Sequence, residues 1–220
     1  MALVLFPRIA LCINQDITTV AQRSNIPDDQ MTSKPRHWPE NVQFIDKYHY
    51  HKSVPQTVRS FVQGDRTRQT NASRPPVVIR AIASPSHPAN GQFGLFAAKK
   101  IPPDTHIMDY IGEIHCDDRP NSNYDLSLYR YPDGLSVGID ASVVGNEARF
   151  INDFRGVQPR PNAVFTEKRN GDGELRMSIW SSKDVIKRGD EVLVSYGKAW
   201  WRARSDNANN MEDQPSDMED

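Results

Sequence analysis

From Pro76 onward, short apolar runs alternate with turn residues. Val77-Val78-Ile79-Arg80-Ala81-Ile82 is rich in β-branched residues and reads as a strand. Gly94-Leu95-Phe96-Ala97 begins another, closed by Ile101-Pro102-Pro103-Asp104. Further strand-like runs cover 106–111, 136–141, 163–166, 175–180 and 192–196, and Leu135-Ser136-Val137-Gly138-Ile139-Asp140-Ala141 alternates as a half-buried strand does. Turn signals separate them at Pro132-Asp133-Gly134, Asn170-Gly171-Asp172-Gly173 and Lys187-Arg188-Gly189-Asp190, the second of which predicts a hairpin. Many short strands with few short helices predict a mainly β domain built of small sheets over residues 76–204.

Residues 1–75 carry a weaker pattern. Val42, Phe44, Ile45, Tyr48 and Tyr50 have a partly helical spacing that predicts one short packed helix, and the Gln/Arg/Thr/Pro-rich stretch 64–76 reads as linker. The expectation is an irregular N-terminal arm over 1–75 with one helix docked on the following domain.

Charge divides the chain in the same places. The net charge is −1, but residues 1–80 hold 11 Lys/Arg against 6 Asp/Glu, and residues 205–220 hold six acids and no Lys or Arg. This gives a basic arm, a neutral domain and an acidic tail read as disordered. Two cysteines, Cys12 and Cys116, exclude a disulfide framework and a four-cysteine zinc site, so no metal is expected. The apolar start 1–6 is broken by Pro7 and Arg8, and no window approaches the roughly 18 apolar residues of a membrane span. The expectation is a soluble intracellular protein with no membrane contact.

Several residues suit the handling of a small charged cofactor. Gly91-Gln92-Phe93-Gly94 offers backbone that a ligand approaches closely. Phe150, Tyr196, Trp200 and Trp201 supply aromatic surface for an adenine ring or a cation, and Asn152 an amide that both donates and accepts.

Their order along the chain carries a family resemblance. Gly94-Leu95-Phe96-Ala97, Tyr110-Ile111-Gly112-Glu113, Tyr124-Asp125-Leu126, Ile139-Asp140-Ala141, Gly145-Asn146-Glu147-Ala148-Arg149-Phe150-Ile151-Asn152, Pro161-Asn162, Gly189-Asp190-Glu191, Tyr196-Gly197 and Trp201 resemble, in order, the motifs of the SET-domain protein lysine methyltransferases. The resemblance spans about residues 77–202. It implies a fold of small sheets around a pseudoknot, with the segment 149–153 passing beneath the loop that bears Tyr196. It also implies S-adenosylmethionine in a pocket on one face and a substrate lysine entering a channel from the other.

Carried over residue by residue, Tyr196 is the catalytic phenol, and Tyr110 and Tyr124 line the channel. Phe93, Gly94, Leu95, Tyr124, Arg149, Phe150, Asn152, Asp153, Tyr196 and Trp201 hold the cofactor. Lysine is protonated in water at neutral pH, and a desolvated aromatic channel favours the neutral amine that attacks a methyl group.

The sequence departs from the family at several points. Gln92 stands where a glycine is usual, Asp153 where histidine is usual, and Ser195 precedes the tyrosine. The post-SET zinc cysteines are absent, so Trp200, Trp201 or the N-terminal arm has to cover the channel. Val194, where a tyrosine favours monomethylation, implies transfer of more than one methyl group. About 25 residues between Glu113 and Ile139 suit a compact enzyme acting on a histone tail, with H3 favoured and the nucleus as its compartment. Three alternatives stay open: a cytoplasmic location, a non-histone protein substrate, and a catalytically silent SET domain that binds a partner. No sequence-specific nucleic-acid contact is implied.

Overall fold

The structure, a computed structural model, describes residues 34–64, 76–198 and 201. The acidic tail, Trp200 and the first 33 residues lie outside these.

Among the described residues, thirteen short strands form five small sheets. Among them β3 (Val77–Ala81) and β4 (Phe93–Ala97) pair antiparallel. Strands β11 (Ala163–Arg169), β12 (Leu175–Ser181) and β5 (His106–Asp109) form a three-stranded sheet with β12 in the middle. The central position explains the burial of β12: six of its seven residues are buried, so it shows no inside–outside alternation. The hairpin before it forms as predicted. Asn170 accepts from the backbone N–H groups of Asp172 and Glu174, and Gly173 takes φ 81°, which a side chain disfavours.

A four-stranded sheet runs in the order β2 (His49–Tyr50), β6 (Glu113–His115), β8 (Ser136–Asp140), β7 (Asp125–Arg130). Two pairs are parallel and join remote segments: β1 (Gln43–Phe44) lies on β9 (Val144–Gly145), and β10 (Asn152–Asp153) on β13 (Leu193–Val194). The core is made by fully buried Ile79, Leu95, Ile114, Ile139, Ile179, Ile186 and Leu193.

The segment 41–50 corrects one expectation. In place of a helix it holds β1 and β2, both extended and both paired in parallel to strands far along the chain. Val42 and Tyr48 are buried immediately before β1 and β2, and the apparent helical spacing is a by-product of two strands separated by a bend. The helix lies further on. In α1 (Gln56–Gln63), Val58 and Val62 face the core, and Gly64 ends the helix with φ 60°. A side chain at Gly64 would run into the Gly173 carbonyl, so the helix end abuts the β11–β12 turn.

Candidate active site

The site is built where β10 meets β13. A single 3-10 turn, Glu147–Phe150, leads into it, capped by the Asn146 side chain, which accepts from Ala148 N–H and Ile111 N–H and donates to the Asp109 carbonyl at 2.8 Å. The cap fixes the turn against the end of β5. The turn then directs Arg149 and Phe150 to one side. Arg149 is buried, donates from Nε to the Ala141 carbonyl at 2.9 Å, and lays its guanidinium 4.1 Å from the Tyr124 ring centre.

Three tyrosines converge here. Tyr110, buried, donates its hydroxyl to the Tyr124 carbonyl at 2.8 Å. Burial, then the neighbouring Tyr196, pushes the Tyr110 phenol well above its ordinary range, so it stays a donor at physiological pH. Tyr196, in the loop after β13, donates its hydroxyl to the Ile151 carbonyl at 2.6 Å, across the β10–β13 junction. Its phenolic proton is thereby committed, and the lone pairs of its oxygen are what it offers to a third group.

On the adjacent face Phe93, 36% exposed, meets Phe150 edge to face at 6.1 Å. Asn152 donates to the Phe93 carbonyl at 3.3 Å and to Glu191 at 2.8 Å. The other Glu191 oxygen lies 2.9 Å from His87 Nε2; His87 Nδ1 accepts from Ala89 N–H, which assigns the Nε2 proton to the Glu191 bond. Gly94 packs so closely that a Cβ would sit 2.5 Å from Glu191 Oε1.

The eleven residues singled out in the sequence divide by role. Phe93, Tyr110, Tyr124, Arg149, Phe150, Asn152, Asp153, Tyr196 and Trp201 share hydrogen bonds, ring contacts or electrostatic contact around this junction. Gly94 sits beside them as a close-packed backbone position. Leu95 differs: its side chain is fully buried in the core and its carbonyl accepts from Val192 N–H at 2.7 Å. Gln92 is exposed, and Val194 is buried in the core. Asp153 makes an ion pair with Arg155 at 2.8 Å.

Sequence reasoning missed His37, Trp38 and His87. Trp38 packs edge to face on Phe150 at 5.7 Å and His37 lies 5.9 Å from Phe93, extending the aromatic row with residues from the N-terminal segment. A lone Trp and His in a polar stretch give no periodic signal. Among the described residues no group of three or more His, Cys, Asp or Glu is arranged to hold a metal ion, and no helix is long and apolar enough to cross a membrane.

Residues 92–197 match the family described as SET domain. The chain carries a SET domain. Its relatives include histone-lysine N-methyltransferase set-2 of Caenorhabditis elegans, 33% identical over 112 residues, covering 47% of this chain and 7% of that protein. The H3 lysine-36 specific histone-lysine N-methyltransferase of Schizosaccharomyces pombe is 33% identical over 115 residues, covering 47% of this chain and 13% of that protein. The inactive histone-lysine N-methyltransferase 2E of Mus musculus is 25% identical over 185 residues, covering 74% and 9%. The chain thus spans only a small part of the length of each. Among solved structures, ATXR5 in complex with mono-methylated histone H3.1 superposes with a TM-score of 0.51 at 17% identity, covering 72% of this chain and 82% of that one. That likeness is one of fold.

Proposed function

We propose that this chain is an S-adenosylmethionine-dependent protein lysine N-methyltransferase that acts on a histone tail, H3 before others, and adds more than one methyl group. The observation that carries the reading is the pair of phenols at the β10–β13 junction, Tyr196 anchored on the Ile151 carbonyl and Tyr110 on the Tyr124 carbonyl. In a SET domain this junction is where amine and methyl group meet.

The residues present suit the cofactor. Phe93 and Phe150 offer aromatic faces to an adenine ring or a sulfonium, and Asp153, the carboxylate within this row, is neutralised by Arg155. When bound, S-adenosylmethionine supplies an electrophilic methyl group. The Tyr196 oxygen, its O–H engaged in the hydrogen bond to the Ile151 carbonyl, accepts an N–H from the substrate amine and fixes its direction. Tyr110 stays protonated and is therefore no base; its bond to the Tyr124 backbone holds the channel wall. Removal from water in the channel disfavours an ammonium, so lysine enters as the neutral amine or loses its proton to water on the way. Val194 places no second hydroxyl next to the amine, which supports repeated transfer.

The test is transfer of radiolabelled methyl from S-adenosylmethionine to core histones and to a total protein extract. Label on histone H3 that drops by on the order of 100-fold or more in Tyr196→Phe is the expected result. Label on another protein would move the substrate and keep the chemistry. The silent-module reading keeps a place because relatives named inactive are among the matches. Absence of both transfer and cofactor binding would favour it.

A further inference from the structure

We propose that Asp153 is a positioning residue, a clasp that holds the Tyr196 loop and Trp201 on a single carboxylate. Its kinetic consequence rests on the methyltransferase reading above; the clasp itself does not.

The Asp153 side chain is 6% exposed and carries five hydrogen bonds. Oδ1 accepts from Arg155 N–H at 2.9 Å and Arg155 Nη1 at 3.1 Å. Oδ2 accepts from Arg155 Nη1 at 2.8 Å, from Tyr196 N–H at 2.8 Å and from the Trp201 indole N–H at 3.2 Å. The Arg155 guanidinium also lies 5.5 Å from the Trp201 ring centre and 5.0 Å from that of Phe154. One buried charge is thus paired by Arg155, and its remaining capacity binds two segments far apart in the chain: the loop that presents the reactive phenol, and the C-terminal tryptophan.

The residue type follows from this geometry. A buried carboxylate is tolerable only when paired and hydrogen-bonded, and here it is both. A neutral imidazole has one acceptor nitrogen and cannot take N–H bonds from Arg155, Tyr196 and Trp201 together. The substitution of aspartate for the family's histidine is therefore a change of task. With both oxygens engaged by protein N–H groups, Asp153 acts through Tyr196 and Trp201 and not on a ligand. The Asp153–Arg155–Trp201 contacts do the tethering of the tryptophan.

Three variants of the full chain test this: Asp153→Asn, Trp201→Phe and their combination. The Trp201 indole N–H resonance in a proton–nitrogen NMR spectrum, assigned by its loss in Trp201→Phe, should shift in Asp153→Asn together with the Tyr196 amide. Both positions unmoved would overturn the clasp. In methyl transfer, each single change should lower kcat on the order of 10- to 100-fold with KM for the peptide little altered. The double variant should be no slower than the slower single one. Additive losses would overturn the coupling of Trp201 to Tyr196 through Asp153. Should Asp153→Asn not fold, Arg155→Gln, at a side chain 38% exposed, is read in the same way. If the unaltered chain transfers no methyl group at all, the methyltransferase reading fails while the two resonances still decide the clasp.

Discussion

A guanidinium 8% exposed is costly unless it is hydrogen-bonded or stacked, and Arg149 is both. Its Nε–H ends on the Ala141 carbonyl and its plane lies against Tyr124 and Phe150. Lysine has neither the fork nor the plane, so Arg149→Lys is expected to cost about 1–3 kcal/mol, read from the urea midpoint. The same change frees the Tyr124 ring, so methyl transfer should fall by more than the folded fraction does. Gly94 is tight in a different way. Alanine there would place its Cβ 2.5 Å from Glu191 Oε1 and 3.0 Å from the Phe96 ring, so the Glu191 side chain must move. Glu191 would have to leave Asn152 and His87. Gly94→Ala should therefore weaken S-adenosylmethionine binding on the order of tenfold or more by calorimetry, a cost comparable to the loss of one to two hydrogen bonds to a charged group.

Elements whose hydrogen bonds are local were the legible ones. The β11–β12 hairpin announces itself in Asn170-Gly171-Asp172-Gly173, because the residues that make the turn are also those that hydrogen-bond across it. The strands at 77–81, 93–97 and 136–140 were legible from β-branched or alternating runs. β13 falls within the run 192–196 read as a strand, whereas β1, β2, β9 and β10 have two residues each and pair in parallel with segments remote in the chain. No periodicity develops over two residues. For the same reason the site was legible as a set of motifs and not as a set of contacts: Asn152, Phe93 and Tyr196 could be named, while Glu191 bridging Asn152 to His87 could not. The helix α1 was missed at its true position because only two of its eight residues, Val58 and Val62, are buried. Those two nonetheless hold it to the core. Val62 is fully buried, and Val62→Ala is expected to cost about 2 kcal/mol by cavity formation, measured by thermal or urea unfolding.

At the scale of the whole molecule, one polar network ties the N-terminal segment to the central sheet and to the channel wall. His49 pairs with Glu113 at 2.9 Å, Arg119 with Glu113 at 2.8 Å and with Asp140 at 3.1 Å, and His115 with Asp125 at 2.8 Å. Ser122 links Asp140 to the backbone of Tyr124. Burial alone raises the Asp140 carboxyl, but hydrogen bonds from Ser122, Ser142 and Arg119 outweigh it and hold it below the ordinary 3.8. Asp109 is likewise raised by burial and held lower overall by His106 and Ser178, and the more exposed Asp117 falls to about 2. Burial disfavours the His115 cation, yet the bond to Asp125 outweighs that and raises it above 6.5. The signs oppose each other. The depressed carboxylates contribute stability that is full above 3.8 and lost as pH falls through their lower folded values. The raised histidine contributes stability that is full below 6.5 and lost as pH climbs through its higher folded value. Unfolding midpoints measured from pH 2 to 9 should therefore peak on the acid side of neutrality, decline gently above it, and collapse at the acid end. Asp140→Asn should lower the plateau and flatten the acid limb. Because Asp140 also anchors Ser122 beside Tyr124, the same variant should slow methyl transfer at pH values where the fold is intact. An unchanged acid limb would mean that Asp140 titrates alike folded and unfolded, and that Arg119 and Ser122 do not hold it ionised.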